Sequence, residues 1–193
     1  MSTANIVDTV IRHRRSVKPA QMNGQKVPDH LVQHFLEMAD WAPTHGLTEP
    51  WYYRVYSGDR VKSFCQDHAD MYRQAIPAEK FAMATYEKLL HNGDKVSHIL
   101  AAAMKRGDNP KIPELEEIAA VAASIQTILL TATAHGVASF WSTGGITHHQ
   151  AMKQYLELDD RDIVMGLIYL GYTDNSFTDG KRIKPNSEKW IWE

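Results

Sequence analysis

The chain has 193 residues, a length suited to one domain that can bury a sizeable core. It is 44% hydrophobic and 23% charged with a formal net charge of -2, which excludes a disordered composition and any global field recruiting nucleic acid or an anionic membrane. The single cysteine, Cys65, excludes an internal disulfide and a multi-thiolate metal site, and Met1 to Asn5 lack the start of a secretory signal, so a cytoplasmic protein is expected.

Ile6, Val7, Val10 and Ile11 recur at helical spacing behind Ser2 or Thr3 as cap, and they predict a first helix. The run Arg12-His13-Arg14-Arg15-Ser16-Val17-Lys18 ends it. Cations suit a helix C-terminus, and Pro19 disfavours helix at Lys18, so the chain beyond Arg15 is expected to be extended. Alternation then turns Arg14, Ser16 and Lys18 one way and Arg15 and Val17 the other. A planar fork, a hydroxyl and a point charge on one face suit a phosphate and an electron-rich ring edge, while a solvated helix end is the plainer alternative.

Asn23-Gly24 marks a turn, and Pro28 opens a second helix whose stripe is Leu31, Val32, Phe35, Leu36 and Ala39, ending near Ala42. Thr44 to Glu49 reads as a polar loop, and Trp51 to Tyr56 as a strand. Asp59 is a candidate cap for a third helix carrying Val61, Phe64, Cys65 and His68, with Cys65 a buried structural thiol. Residues 71–93 are charged and helix-prone, and read as an excursion from the core that could act as a lid. The alanines of Val96 to Met104 lean towards helix.

Pro113 to His135 predicts a long helix, with Glu114, Glu116 and Glu117 in its first turn and Gly136 past its end. It is apolar nearly all round, which implies central burial or a subunit interface. Within it the apolar run Ile118 to Ala134, interrupted by Ser124, Gln126, Thr127, Thr131 and Thr133, reads as too short and too polar to span a membrane. Val137 to Trp141 suits an inner strand, Thr143-Gly144-Gly145 a tight loop offering backbone N–H groups to a planar ligand, Thr147 to Gln150 a capping box, and Ile163 to Gly171 a buried strand. The tail from Asp174 carries Arg182 and Lys184, then Trp190-Ile191-Trp192, an apolar end without a local partner that suggests wrapping onto a second subunit.

Ten histidines make no H-E-x-x-H, and no G-x-S-x-G, Walker A or G-x-G-x-x-G occurs, so metal, serine-hydrolase and nucleotide-loop chemistry have no handle. Two basic clusters remain, Arg14/Lys18 and Arg182/Lys184, at opposite ends of the chain and able to converge on one phosphate. A nucleic-acid-binding helical module using Arg12 to Lys18 is a competing reading, opposed by the net charge.

The chain resembles the FMN-dependent nitroreductase family, in particular its short members. The resemblance rests on Arg14-Arg15-Ser16-Val17-Lys18, on Ala42-Pro43-Thr44-His45 through Pro50-Trp51, on Phe140-Trp141-Ser142-Thr143-Gly144-Gly145, and on Gly166-Leu167-Ile168-Tyr169-Leu170-Gly171-Tyr172. It implies a single α+β domain over residues 1–193, a sandwich with a central antiparallel sheet flanked by helices, assembled as an intertwined homodimer with FMN at each of two interface sites. It also makes Val96 to Ala103 a strand, against local propensity.

Carried over by position, the cofactor-binding set is Arg14 on the phosphate with Arg15 beside it, Ser16 as a hydrogen-bonding neighbour, and Lys18 near the flavin N1–C2 edge. His45 and Glu49 come from the partner subunit; Trp141, Ser142, Thr143, Gly144 and Gly145 run along the isoalloxazine, and Arg182 and Lys184 reach the phosphate. Glu49 stands where glutamine is common in the family, and Ser142 where some short members carry arginine. The implied activity is transfer of hydride from NADH or NADPH to flavin N5 and then reduction of a nitro-aromatic, quinone or similar small acceptor, in a ping-pong cycle needing no catalytic side chain and no metal. A flavin-binding protein of the same fold without reductase turnover, processing or sensing flavin, is the alternative.

Overall fold

The computed structural model describes residues 2–176 and 180–193. Its centre is one four-stranded antiparallel sheet of β1 (Trp51–Ser57), β2 (His98–Met104), β3 (Ala138–Ser142) and β4 (Ile163–Gly171), ordered β1-β2-β4-β3. The expected strand over Val96 to Ala103 is therefore present as β2, and the local lean towards helix is overturned. All seven of its residues are buried, and it pairs with β1 on one side and β4 on the other. A strand covered on both faces reads as a continuous apolar run, and pairing along two edges outweighs the helix preference of alanine.

Six helices flank the sheet: α1 (Thr3–His13), α2 (Asp29–Ala39), α3 (Asp59–Ala75), α4 (Met83–His91), α5 (Glu114–Ala134) and α6 (Gln150–Tyr155). Alternation along β2 divides the core into two layers. Ile99 and Ala101 join Phe64, Leu89 and Met152 from α3, α4 and α6, whereas Leu100, Ala102 and Met104 join Phe35, Val121, Ile125 and Ile128 from α2 and α5. Cys65 is buried in the first layer, where burial pushes its thiol up to about 12, a structural and unreactive state.

Several boundaries have a different physical origin from the expected one. Ser2 does cap α1, accepting from the Asn5 N–H at 3.3 Å. Gly58, at φ +56, takes the cap position of α3, and Asp59 is its first residue. The capping box at Thr147 is not formed: His149 caps α6 by accepting from Ala151 N, and Thr147 is used elsewhere. The 71–93 stretch is helical as expected, but its inner face belongs to the core. Tyr72 and Leu89 are buried, and the Tyr86 hydroxyl donates to Asp70 on α3.

Among the described residues α5 is the one helix long and apolar enough to cross a membrane, so its expected shortness and polarity are corrected. Its apolarity has a local cause: Val121, Ile125, Ile128 and Ala132 are fully buried between the sheet and α2. By contrast α1 buries no residue, and Ile6, Val7 and Ile11 are each about half exposed. Residues 180–193 are exposed throughout; of the tail expected to wrap a partner, 174–193, residues 177–179 lie outside the described residues.

Candidate flavin site

Arg14 closes α1 as its C-cap, with its N–H on Val10 O at 3.0 Å. Beyond it the chain is extended as expected: Ser16 bridges Ser139 in parallel, and Val17 N donates to Ser139 O at 2.9 Å. The segment thus runs alongside β3, an edge of the sheet, with Val17 and Pro19 buried and Ser16 and Lys18 exposed. Arg14 is held below the ordinary arginine pKa by burial first, then by the charges of Arg15 and Arg182. The two ends of the chain therefore bring cations together. The Arg15 guanidinium donates to Arg12 O and Arg14 O and lies against Gly180, where a Cβ would come within 2.8 Å of its Cζ. A cavity of about 440 Å³ opens here between Arg15, Ser16, Val17, Gln21, Thr173 and Asn175. Lys184 lies further along the tail, its carbonyl accepting from Lys189 Nζ.

The end of β3 supplies the second part. Trp141 turns its indole into the sheet and donates Nε1–H to Met165 O at 2.9 Å. Met165 is the extra residue of a bulge between the pairs Gly166–Ala102 and Val164–Ala103. The indole side chain is thereby committed to holding β3 on β4. Ser142 Oγ accepts from Gly144 N at 3.3 Å, and Thr147 Oγ1 donates to Gly144 O at 2.6 Å. Thr143, Gly144 and Gly145 are exposed, and Gly145 has φ +67. A Cβ on Gly145 would lie 2.9 Å from both His68 Nε2 and Leu89 Cδ1, so the loop rests on α3 and α4.

His68 and Thr147 were not among the expected site residues. The available signal was a histidine on the apolar stripe of α3, and a threonine whose spacing matched a helix cap instead. Burial alone lowers the His68 pKa to about 4, so the ring is neutral in the fold. Between pH 6.5 and 4 the unfolded chain binds a proton that the folded chain refuses, and folding stability falls as pH falls, by about 3 kcal/mol. His98, also lowered by burial, acts in the same direction. Urea unfolding across this range is expected to give a His68→Leu variant with a pH dependence shallower by that amount; parallel curves would contradict it.

The third part lies elsewhere. His45 pairs through Nδ1 with Glu116 Oε2 at the start of α5, and Glu49 N donates to Thr44 Oγ1. Leu47 and Glu49 sit at φ +55 and +44, a left-handed backbone that side chains adopt at a cost. This loop leads into β1, the edge opposite β3. Three strand spacings, roughly 14 Å, separate the two edges. Within one chain, His45 and Glu49 are not brought to Arg14, Ser16 and the Thr143–Gly145 loop.

Known proteins share this fold. Residues 11–172 match the model of the nitroreductase family. YfhC of Bacillus subtilis, named as a candidate NAD(P)H nitroreductase, is 25% identical over 176 residues, spanning 89% of this chain and 87% of its own. A nitroreductase-like family protein from Bacillus cereus has a crystal structure that superposes with a TM-score of 0.84 at 25% identity, over 100% of this chain and 98% of that one. The FMN-dependent nitroreductase NfnB from Mycobacterium smegmatis, crystallised in complex with NADPH, shares the fold over 100% of both chains, with a TM-score of 0.78 at 18% identity. Since the match runs from the last turn of α1 to the residue after β4, through the basic segment, the strand-end loop and the sheet that carries both, the chain belongs to the nitroreductase family.

Proposed function

We propose that the protein is an FMN-dependent NAD(P)H oxidoreductase that reduces nitro-aromatic, quinone or similar small acceptors and works as a homodimer. The observation that carries this reading is the gathering of Arg15 and Arg182 around Arg14, with Gly180 of the tail packed against the Arg15 guanidinium. Cations gathered from both ends of a chain repel one another, and a doubly charged phosphate relieves that repulsion. Among the described residues no carboxylate forms an ion pair with Arg14 or Arg182. A planar ring can approach the Thr143–Gly145 backbone closely, because Gly144 and Gly145 present no side chain. The donor set therefore fits FMN. When bound, FMN supplies a ring that accepts hydride from NADH or NADPH and passes electrons to the acceptor.

In this reading Arg14, Arg15 and Arg182 hold the phosphate, with Lys184 in support, and the Ser16 hydroxyl is a hydrogen-bonding neighbour. Lys18 faces the N1–C2 edge, where its charge favours the electron-rich reduced ring. Trp141 and Ser142 fix the strand end, Gly144 lets the ring come close, and Thr143 and Gly145 direct backbone N–H groups at the ring.

A second copy supplies His45 and Glu49, which in one chain lie on the opposite edge of the sheet. The half-exposed Ile6, Val7 and Ile11 of α1, with Trp41 and Leu47 at 85% and 82% exposure, leave apolar area for a second copy to cover. Trp190 and Trp192 of the tail are also exposed, at 58% and 94%. Residues 1–193 form one FMN-binding domain in this scheme, with 71–93 walling the loop.

The test is direct. Purified protein is expected to be yellow, to release FMN on denaturation, and to lose its flavin absorbance when mixed with millimolar NADH or NADPH in a stopped-flow instrument, recovering it on addition of a nitro-aromatic or quinone. A colourless monomer that refuses added FMN would overturn the proposal; bound FMN that no donor bleaches would favour flavin binding without turnover.

A further inference from the structure

The Thr143–Gly145 loop is shaped from beneath by two buried polar side chains. Thr147 is fully buried, and its hydroxyl donates to the Gly144 carbonyl at 2.6 Å. His68 is 1% exposed, its Nε2 has no hydrogen-bond partner, and it stands against Gly145 so closely that only glycine fits. In a planar trans peptide the C=O and the N–H point in opposite directions. A hydroxyl that grips the Gly144 carbonyl from the core side therefore turns the N–H of the same peptide unit, that of Gly145, outward to the exposed side of the loop. Ser142 Oγ already takes the neighbouring N–H, that of Gly144, which leaves the Gly145 N–H as the outward donor of the glycine pair.

We infer that Thr147 and His68 are positioning residues that aim the Gly145 N–H at the ring edge of the flavin, an inference that rests on the FMN reading above. Thr147 holds the Gly144–Gly145 peptide by its carbonyl, and His68 is the floor against which Gly145 rests. An aimed N–H favours the ring more once it carries the extra electrons of reduction than before.

Thr147→Val keeps the shape and removes the donor, and Thr147→Ser keeps the donor. In the FMN-loaded dimer, Thr147→Val is expected to retain oxidised FMN but to bind reduced FMN about tenfold more weakly, so that the two-electron midpoint falls by about 30 mV. Thr147→Ser is expected to restore the midpoint, and His68→Leu to lower it in the same direction. An unchanged midpoint in FMN-bound Thr147→Val would overturn the inference alone, whereas wild-type protein that takes up no FMN would overturn the flavin reading and the inference with it. A measurement on the wild type stands independently of how the variants fold. In ¹⁵N-glycine-labelled protein, Gly145 is expected to be the glycine amide whose resonance moves most between oxidised and reduced FMN, and a larger movement at Gly144 would count against the assignment.

Discussion

Gly166→Ala is expected to lose about 2–5 kcal/mol of folding stability, the sum of a left-handed backbone imposed on an alanine and an overpacked contact. Gly166 has φ +142, and a Cβ built on it would overlap the Trp141 indole, with Cδ1 only 2.7 Å away and Ser142 O at 3.0 Å. Neither neighbour can yield cheaply. The indole is tied to Met165 O, and Ser142 is paired in register with Leu167. Relief must come from pushing the end of β3 away from β4, which carries the Ser142–Gly145 segment with it. Urea unfolding and FMN titration are therefore expected to report the same lesion: a lower midpoint of unfolding and weaker cofactor binding. Trp141→Phe removes the Nε1–H bond to Met165 O together with part of the ring and is expected to cost about 1–3 kcal/mol. A Gly166→Ala protein as stable as the wild type would show that the indole is not locked over β4.

Glu117→Ala is expected to cost about 3–5 kcal/mol, because it leaves a charge buried without its partner. The Glu117 side chain is fully buried on the first turn of α5 and pairs with Arg106, itself only 15% exposed. Its other oxygen accepts from Gly107 N at 3.1 Å, while Arg106 also donates to Ile112 O. This network ties the connection between β2 and α5 to the helix. The next residue back, Glu116, holds His45, so loosening that turn also frees the loop proposed to reach a partner's flavin. Guanidinium unfolding measures the loss. Replacing both ionic residues together, Arg106→Met with Glu117→Leu, is expected to recover most of it, since two well-packed apolar side chains carry no desolvation penalty. Equal losses in the single and double variants would mean that the burial of charge is not what destabilises the single.

How legible the site was follows from the range of the interactions involved. The basic segment was readable because its causes are local: Pro19 sets the backbone of Lys18, and alternation sets which side chains share a face. That alternation holds from Ser16 to Lys18, with Val17 in the core and its two neighbours outside, whereas Arg14 and Arg15 are both half-buried. The first cap, the long helix α5 and the strands β1, β3 and β4 were likewise visible from neighbours within a few residues. The strand β2 was not legible from its own alanines, and only resemblance to a family assigned it correctly, because its state depends on pairing with β1 and β4 from distant parts of the chain. Thr147 was readable as a polar residue at cap spacing, but its hydroxyl turns to Gly144 because the β3–α6 turn brings that carbonyl within 2.6 Å.

By itself the sequence determined the elements apart from β2, the buried thiol at Cys65, the extended basic segment and the glycines that free the loop after β3. Tertiary structure decided what these make together: that Arg182 reaches Arg14, that His68 and Thr147 underlie Gly145, and that His45 and Glu49 lie across the sheet from the arginines. The division has one physical reason. Propensity and alternation act over a turn or a strand, whereas charge proximity, the floor beneath Gly145 and the two edges of a sheet exist only after segments distant in the sequence have closed on one another.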